Sequence, residues 1–356
     1  MPAHQLLVPA YKLTFSRDAA LGGGASQGAP GGTTGQVIDT TDEPQASTVV
    51  DLEAVLDMDT PADSLRLVMG QVGSFRPALG DAVKVELGYA DDTRGLFHVL
   101  SVGLTVAEPG LTARRLLGLS TADRLLHTRV DEHFVGKSAA DIVRDLAGRA
   151  EVEVETAETG IRFPSYVVDG RRSVYDHLRD IADLCGFDLY VNPEGKLVFE
   201  RFVGGKTVHV LEYGEDILAL ELVERTPRAT RVEAFGESPG ASAGEDRWAW
   251  LTKDFTPNVG VAGQGEPSLL LQNSTLRSAS AAGTAARARL THLQRQTKRG
   301  RVLLTGQPQI KLGDTVRLDA VPEAGVDGSY QVRAVTHRLT KSTGFTTTVE
   351  FRSLAS

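Results

Sequence analysis

Apolar and polar residues alternate along much of this chain, in short runs separated by glycine- and proline-containing breaks. Residues 5–15 read as a first strand. The stretch STVVDLEAVLDMDTPADSLRLVM (47–69) holds two apolar runs broken at Thr60-Pro61. Leu52, Ala54 and Leu56 alternate with charged residues there, which predicts two strands. Val83, Val85 and Leu87 alternate with Lys84 and Glu86 between Gly80 and Gly88, and LFHVLSVGLTV (96–106) continues as another strand. ARRLLGLSTADRLLHTRV (113–130) begins as a strand and ends near a short helix. Many short strands with regular turn signals predict a sandwich or barrel over residues 1–120. The glycine-rich tract 21–36 has little to bury and is expected to be a mobile loop within it.

The periodicity then changes. In SAADIVRDLAGRA (138–150), Ser138 precedes Asp141 by three residues, a capping-box arrangement, and Ile142, Val143, Leu146 and Ala147 form one apolar face. RRSVYDHLRDIADLCGFDLYVNPEGKLVFER (171–201) repeats the device with Ser173 and Asp176. Val174, Leu178, Ile181 and Cys185 line the helix, and Gly186 is placed to end it. The turn NPEG (192–195) then joins two alternating strands. Residues 121–215 are therefore expected to form an α+β insertion. The chain returns to strands over 216–237 and 300–356, a second barrel region. Residues 238–299 read as an irregular loop followed by a long helix over 276–301, with Ala279, Ala282, Ala286, Leu290 and Leu293 in one stripe. LGDAVKVEL (79–87) and LGDTVRLDA (312–320) form an internal repeat, each leading through a turn to a second strand. The predicted class is mainly β with an α+β insertion.

Composition adds limits. The formal net charge of −8 argues against a general or sequence-specific nucleic-acid binder. The single cysteine, Cys185, excludes an intrachain disulfide and a cysteine-based zinc site. No run approaches the length of a membrane span, and the N-terminal residues carry no basic start or apolar run of a secretion signal.

Motifs for chemistry fail in context. GASAG (240–244) fits G-x-S-x-G around Ser242, but Pro239 precedes it and no helical stripe follows, so a flexible loop is the favoured reading. GGKT (204–207) ends like a phosphate loop, but Glu200 stands where the first glycine is required. Asp131, Glu132 and His133 are adjacent in sequence, which does not make them converge on a metal. His337 lies in an alternating strand and reads as a hydrogen-bonded or solvent-facing histidine. Cys185 reads as a buried thiol on an apolar helix face. The cluster Arg287, Arg289, Arg295, Lys298, Arg299 and Arg301 reads as a solvated face near a helix C-terminus, with docking of an acidic neighbour as the alternative. No catalytic residue, cofactor site or metal site is predicted.

The order of elements carries more. VKVELGY…GLFHVLSVGLTV leads to STADRLLHTRV, SAADIVRDLAGRA and SVYDHLRDIADLCGFDLYVNPEGKLVFER, and finally to IKLGDTVRL and GSYQVRAVTHRLTKSTGFTTTVEF. This order, over about residues 45–350, resembles the phage late control protein D family, the baseplate hub proteins of contractile tails. It is similar to the hub part of type VI secretion spike proteins and of extracellular contractile injection systems. The resemblance implies two tube-type β-barrels per chain and a homotrimer whose six barrels adapt a sixfold tail tube to a threefold spike. It implies as partners the spike protein, the tail tube protein and other baseplate proteins. It also implies assembly in the bacterial cytoplasm into a phage tail or injection particle. The tract 21–36 has no counterpart, residues 238–275 match poorly, and the chain stops at FTTTVEFRSLAS, so the spike is expected to be a separate chain. Two alternatives stay open: a tail-associated peptidoglycan hydrolase and a cell-wall-binding β module.

Overall fold

A computed structural model describes residues 8–16, 36–43, 47–70, 77–90, 92–110, 112–236 and 259–354. The glycine-rich tract 21–36 falls outside these residues except for Gln36. The described chain is mainly β, with an α+β insertion between two strand-rich lobes.

The first lobe contains β1 (Pro9–Ser16), β2 (Gln36–Asp39), β3 (Val49–Asp57), β4 (Ser64–Gly70), β5 (Ala82–Tyr89), β6 (Phe97–Pro109) and β7 (Ala113–Leu119). All its ladders are antiparallel, in the order β3-β4-β7-β6-β5-β1-β2. Alternation decides which face is buried. Leu52, Ala54, Val83, Val85 and Leu87 turn into one core while Lys84 and Glu53 face out. Each buried aliphatic side chain contributes roughly 1.5–3 kcal/mol.

The insertion contains α1 (Ala122–His127), β8 (Glu132–Ser138), α2 (Ala139–Arg149), β9 (Val154–Ala157), β10 (Arg162–Val168), α3 (Val174–Cys185), β11 (Asp188–Val191) and β12 (Leu197–Glu200). Both capping boxes form: Ser138 accepts from the Asp141 amide and Ser173 from the Asp176 amide, and each aspartate returns the bond to its cap. Gly186 ends α3 at φ +70°. The remaining elements are β13 (Val208–Glu212), β14 (Ile217–Glu224), β15 (Arg231–Phe235), β16 (Gly260–Gly263), β17 (Ser268–Gln272), α4 (Ala279–Arg295), β18 (Lys298–Thr305), β19 (Thr315–Asp319), β20 (Gly328–Thr340) and β21 (Gly344–Ser353). The second lobe runs β14-β18-β21-β20, with β19 on β20 and β13 parallel to β19.

The two lobes are one continuous sheet of thirteen strands. Strand β20 makes the join. Its first residues pair with β19 and its last seven, Ala334–Thr340, with β3. The cores are exchanged across the join: Leu339 and Phe345 enter the first core, and Leu56 and Met58 enter the second.

Several boundaries differ from the sequence reading. Strand β13, expected inside the insertion, belongs to the second lobe because it pairs with β19. Strand β15, expected in the second lobe, lies in a small sheet with β16 and β17, within the stretches read as irregular, and packs on α4. Its Val232 and Ala234 share a core with the insertion helices. The long helix stops at Arg295, and Lys298, Arg299 and Arg301 are strand residues. There Val302 and Leu304 turn inward, and the bare Gly300 lets the ring of Phe351 approach.

The sequence repeat is a structural one. Gly80 and Gly313 adopt φ +84° and +81°, and Asp81 and Asp314 then accept the amides of Ala78 at 2.8 Å and Lys311 at 3.1 Å. Each aspartate carbonyl also accepts an amide of the following strand, from Leu104 and Val332, both at 2.9 Å. The copies diverge on the other side, where β5 meets β1 antiparallel and β19 meets β13 parallel. A side chain at Gly313 would force a left-handed backbone on a residue with a Cβ and would press against the Tyr190 hydroxyl at 3.0 Å. Gly313→Ala is therefore expected to cost about 1–2 kcal/mol in urea unfolding, whereas an unchanged midpoint would show that the turn tolerates a side chain.

Candidate functional site

A buried polar network among the described residues centres on Arg333. This residue occupies a β-bulge, where β20 inserts one residue between Val332 opposite Phe351 and Ala334 opposite Glu350. The bulge aims its side chain out of the second lobe toward the insertion. Nη1 donates to Asp188 Oδ1 at 2.6 Å, and Nη2 donates to Asp59 Oδ1 at 2.8 Å. Asp188 begins β11, beside the left-handed end of α3, and also accepts from Gln331 Nε2 at 2.5 Å. Asp59 sits in the turn between β3 and β4 and pairs with Arg352 of β21 and, at 3.6 Å, with Arg179 of α3. Arg179 also donates to the Met58 carbonyl at 2.9 Å. One network thus ties both lobes and the insertion together.

Burial opposes these charges and the pairing outweighs it. Burial alone would lower the Arg333 guanidinium, but Asp188 and Asp59 hold it above its ordinary range. Burial would raise Asp59, but Arg333, Arg352 and Arg179 hold its carboxyl below the usual carboxylate range. Next to the network, a cleft of about 520 Å³ opens between α3, α4 and β17.

A second buried acid lies apart from this network. Asp63, just before β4, accepts the Asp57 amide at 3.0 Å, and its own amide donates to Ser120 Oγ at 3.1 Å. Burial pushes its carboxyl up to about 7, the Asp57 amide bond pulls it back, and the Asp57 charge adds to the rise. A raised acid beside a second carboxylate resembles a general-acid pair, but Asp63 is buried in the wall of the first lobe.

The residues singled out in the sequence do not come together. His133 pairs with Ser165 Oγ at 2.9 Å, Glu132 with Arg149 at 2.6 Å, and Asp131 accepts the Gly170 amide at 2.8 Å. Cys185 is buried, accepts the Ile161 amide at 3.4 Å and has its thiol pushed up to about 12 by burial. His337 is buried against Thr347 Oγ1 at 3.0 Å, and burial pushes it down to about 3. Lys206 of the GGKT turn pairs with Glu200 at 3.1 Å. Ser242 lies outside the described residues. Among the described residues no three His, Cys, Asp or Glu side chains are placed to share a metal, and no helix is long and apolar enough to cross a membrane. The Arg333 network went unseen in the sequence because its members are scattered over nearly 300 positions.

The sheet edges are the other notable surface. The path ends at β2 and β14, each with a single ladder among the described residues, β14 adding only an isolated bridge from Ile217 to Tyr213. Around β14 and the neighbouring β13, the side chains of Val208, Val210, Tyr213, Leu218 and Val223 are exposed. Such an apolar edge is a template for pairing with another chain.

Residues 54–341 match the model of a family described as the Alg8 N-terminal domain. No curated protein matches the chain in sequence. Among solved structures, a 43 kDa tail protein of prophage MuSo2 from Shewanella oneidensis aligns with a TM-score of 0.66 at 12% identity, over 96% of this chain and 98% of its own. A tail protein from Neisseria meningitidis aligns with a TM-score of 0.65 at 14% identity, over 96% of each chain. An E. coli protein, described as a component of the type VI secretion system with structural similarity to T4 tail proteins gp27 and gp5, aligns with a TM-score of 0.53 at 10% identity. That alignment covers 86% of this chain and 73% of the other. The fold is that of phage tail proteins.

Two outcomes follow from the buried groups. Arg333→Met leaves Asp188 buried without its cation and is expected to cost about 3–5 kcal/mol in urea unfolding. The double variant with Asp188→Leu should recover most of that loss, and equal losses would assign the cost to packing instead of charge. Asp63 holds its proton more tightly in the folded chain than in the unfolded one, whose carboxyl titrates near 3.8. Its contribution is full below that value, falls as pH rises, and is gone above about 7. In thermal melts between pH 4 and 8, Asp63→Asn, which keeps an acceptor for the Asp57 amide, should gain on the native chain as pH rises to 7. A constant gap would sink this assignment.

Proposed function

The chain belongs to the Alg8 N-terminal domain family; starting there, and from a fold shared with phage tail proteins, we propose that it is a structural baseplate hub of a contractile tail or injection system. In this reading it is a hub of the late control protein D kind. Three copies close a ring that adapts a sixfold tail tube to a threefold spike. The observation that carries the reading is the doubled lobe. One sheet holds two units built on the same Gly-Asp turn, at Gly80-Asp81 and Gly313-Asp314, and is open at both ends. Three such chains supply six similar units, and open edges let a neighbour continue the ladder.

The chemistry supports a structural role over a catalytic one. The described acids shifted furthest are Asp63, sealed in a wall, and Asp169, a partly exposed carboxylate held by the Arg171 guanidinium. The partners of this reading are other copies of the chain, the tube protein, the spike protein and further baseplate proteins. Its location is the assembled particle, built in the bacterial cytoplasm.

The test is native mass spectrometry of the chain, alone and co-expressed with its tube and spike proteins. A three-chain species is expected. Val210→Glu combined with Leu218→Glu, both on exposed apolar positions, should remove that species while changing stability by less than about 0.5 kcal/mol. A monomer that also forms no threefold complex with the tube and spike proteins overturns the proposal.

A further inference from the structure

The cleft between α3, α4 and β17 has an arginine wall and a strand edge, and the two belong to different elements. Arg179, Arg333 and Arg352 are engaged with Asp59, Asp183 and Asp188. Arg289 and Arg295, on the α4 side of the same cleft, form no ion pair with a described residue. Arg295 lies over the Phe202 ring at 5.4 Å, and its Nε is buried without a hydrogen-bond partner among the described residues. His292 stands one turn from each. Burial and the charges of Arg289, Arg352 and Arg333 push it down to about 4, so at neutral pH it adds no charge of its own. Asp180 also lines the cleft and is held by Arg172 at 2.6 Å, and the Arg289 charge reaches Asp183, so six guanidinium groups (Arg172, Arg179, Arg289, Arg295, Arg333 and Arg352) face four carboxylates (Asp59, Asp180, Asp183 and Asp188).

The opposite wall is β17, which pairs only with β15 among the described residues. The bonds flanking it fix which backbone groups are taken. The Thr230 amide donates to the Pro267 carbonyl and the Asn273 amide donates to the Phe235 carbonyl, so odd-numbered residues face β15. In a parallel ladder each residue bonds to one neighbour with both its N–H and its C=O, which leaves the even-numbered residues facing the open edge; the Ser268 amide is held by Glu266 Oε2 at 2.8 Å, so Leu270 and Gln272 are the ones open to a partner. Leu269 and Leu271 pack on the insertion core, while the Leu270 side chain is 64% exposed beside the cleft.

We propose that this cleft takes an extended acidic segment of another protein, added as a strand along β17 with its carboxylates on Arg289 and Arg295. The free strand edge supplies main-chain pairing, and the surplus cations supply charge complementarity. A nucleic acid is the poorer fit, because a phosphate backbone makes no use of a strand edge and Phe187, the one phenyl ring in the cleft lining, is buried and offers no stacking platform. The inference goes beyond the hub reading and does not depend on a ring.

The test selects random ten-residue peptides, displayed on phage, on the full chain at physiological salt. Selected peptides should carry Asp or Glu at alternate positions. A synthetic copy of the best one should bind at least tenfold more weakly to Arg289→Glu, an exposed position at which the folded chain is expected to persist, as a cooperative thermal melt would check. Hydrogen exchange with the peptide bound should slow at the Leu270 and Gln272 amides. The proposal is overturned if no peptide is selected, if acidic residues are not enriched, or if Arg289→Glu binds as well as the native chain. Displacement of the peptide by a single-stranded DNA 20-mer, or self-association of the chain lost in the same variant, would assign the cleft to another occupant and overturn it equally.

Discussion

The geometry of this molecule depends on one buried guanidinium. Arg333 reaches Asp188 in the insertion and Asp59 in the first lobe while its own backbone stays in the second. Such a pair is a poor source of raw stability, since desolvating the three charges consumes most of the Coulomb gain. Its value is angular. Planar donors on fixed carboxylates allow one arrangement of the three units, where apolar packing alone would tolerate several. The bulge that turns Arg333 out of the ladder is therefore part of the architecture, and the Arg333 carbonyl it displaces is used at once, accepting the Met58 amide at 3.0 Å.

Around that junction the insertion is held mainly by ordinary means. Its core runs from α1 through both capped helices to the small sheet of β15, β16 and β17 and to α4. The helix-to-helix contacts use small residues: Gly186 sits so close to Ala288 that a Cβ there would fall within 3 Å of it. This close approach lets α4, which arrives late in the chain, become part of a unit that began at residue 122. The insertion is thus discontinuous in sequence and continuous in space.

What could be read from the sequence was whatever is decided over a few residues. Both capping boxes, the Gly186 terminus, the alternating strands from Leu52 to Leu87 and the Gly-Asp repeat depend on local spacing and formed where that spacing put them. What escaped depends on distant pairing. Strand β18 continued the basic stripe of α4 and read as helix, although Gly300 was a visible reason to doubt it. Strands β16 and β17 are too short to alternate clearly and are defined by β15. Arg333 stood in a run that seemed to alternate, YQVRAVTH. A bulge changes which face each later residue takes, and nothing local announces one. The raised carboxyl of Asp63 was equally hidden, since it arises from the sheet closing over it.

The shared ladder between β20 and β3 has a mechanical meaning. Seven residues of each strand are paired side by side, from Ala334 with Asp57 to Thr340 with Asp51, and the two cores exchange side chains across that seam. A pull that separates the lobes along the strand direction loads these bonds in shear, so they must fail nearly together; a pull across the strands opens them one after another. The seam is stiff along one axis and weak along the perpendicular one, and the Arg333 bridges to Asp59 and Asp188 brace its Ala334 end against such unzipping.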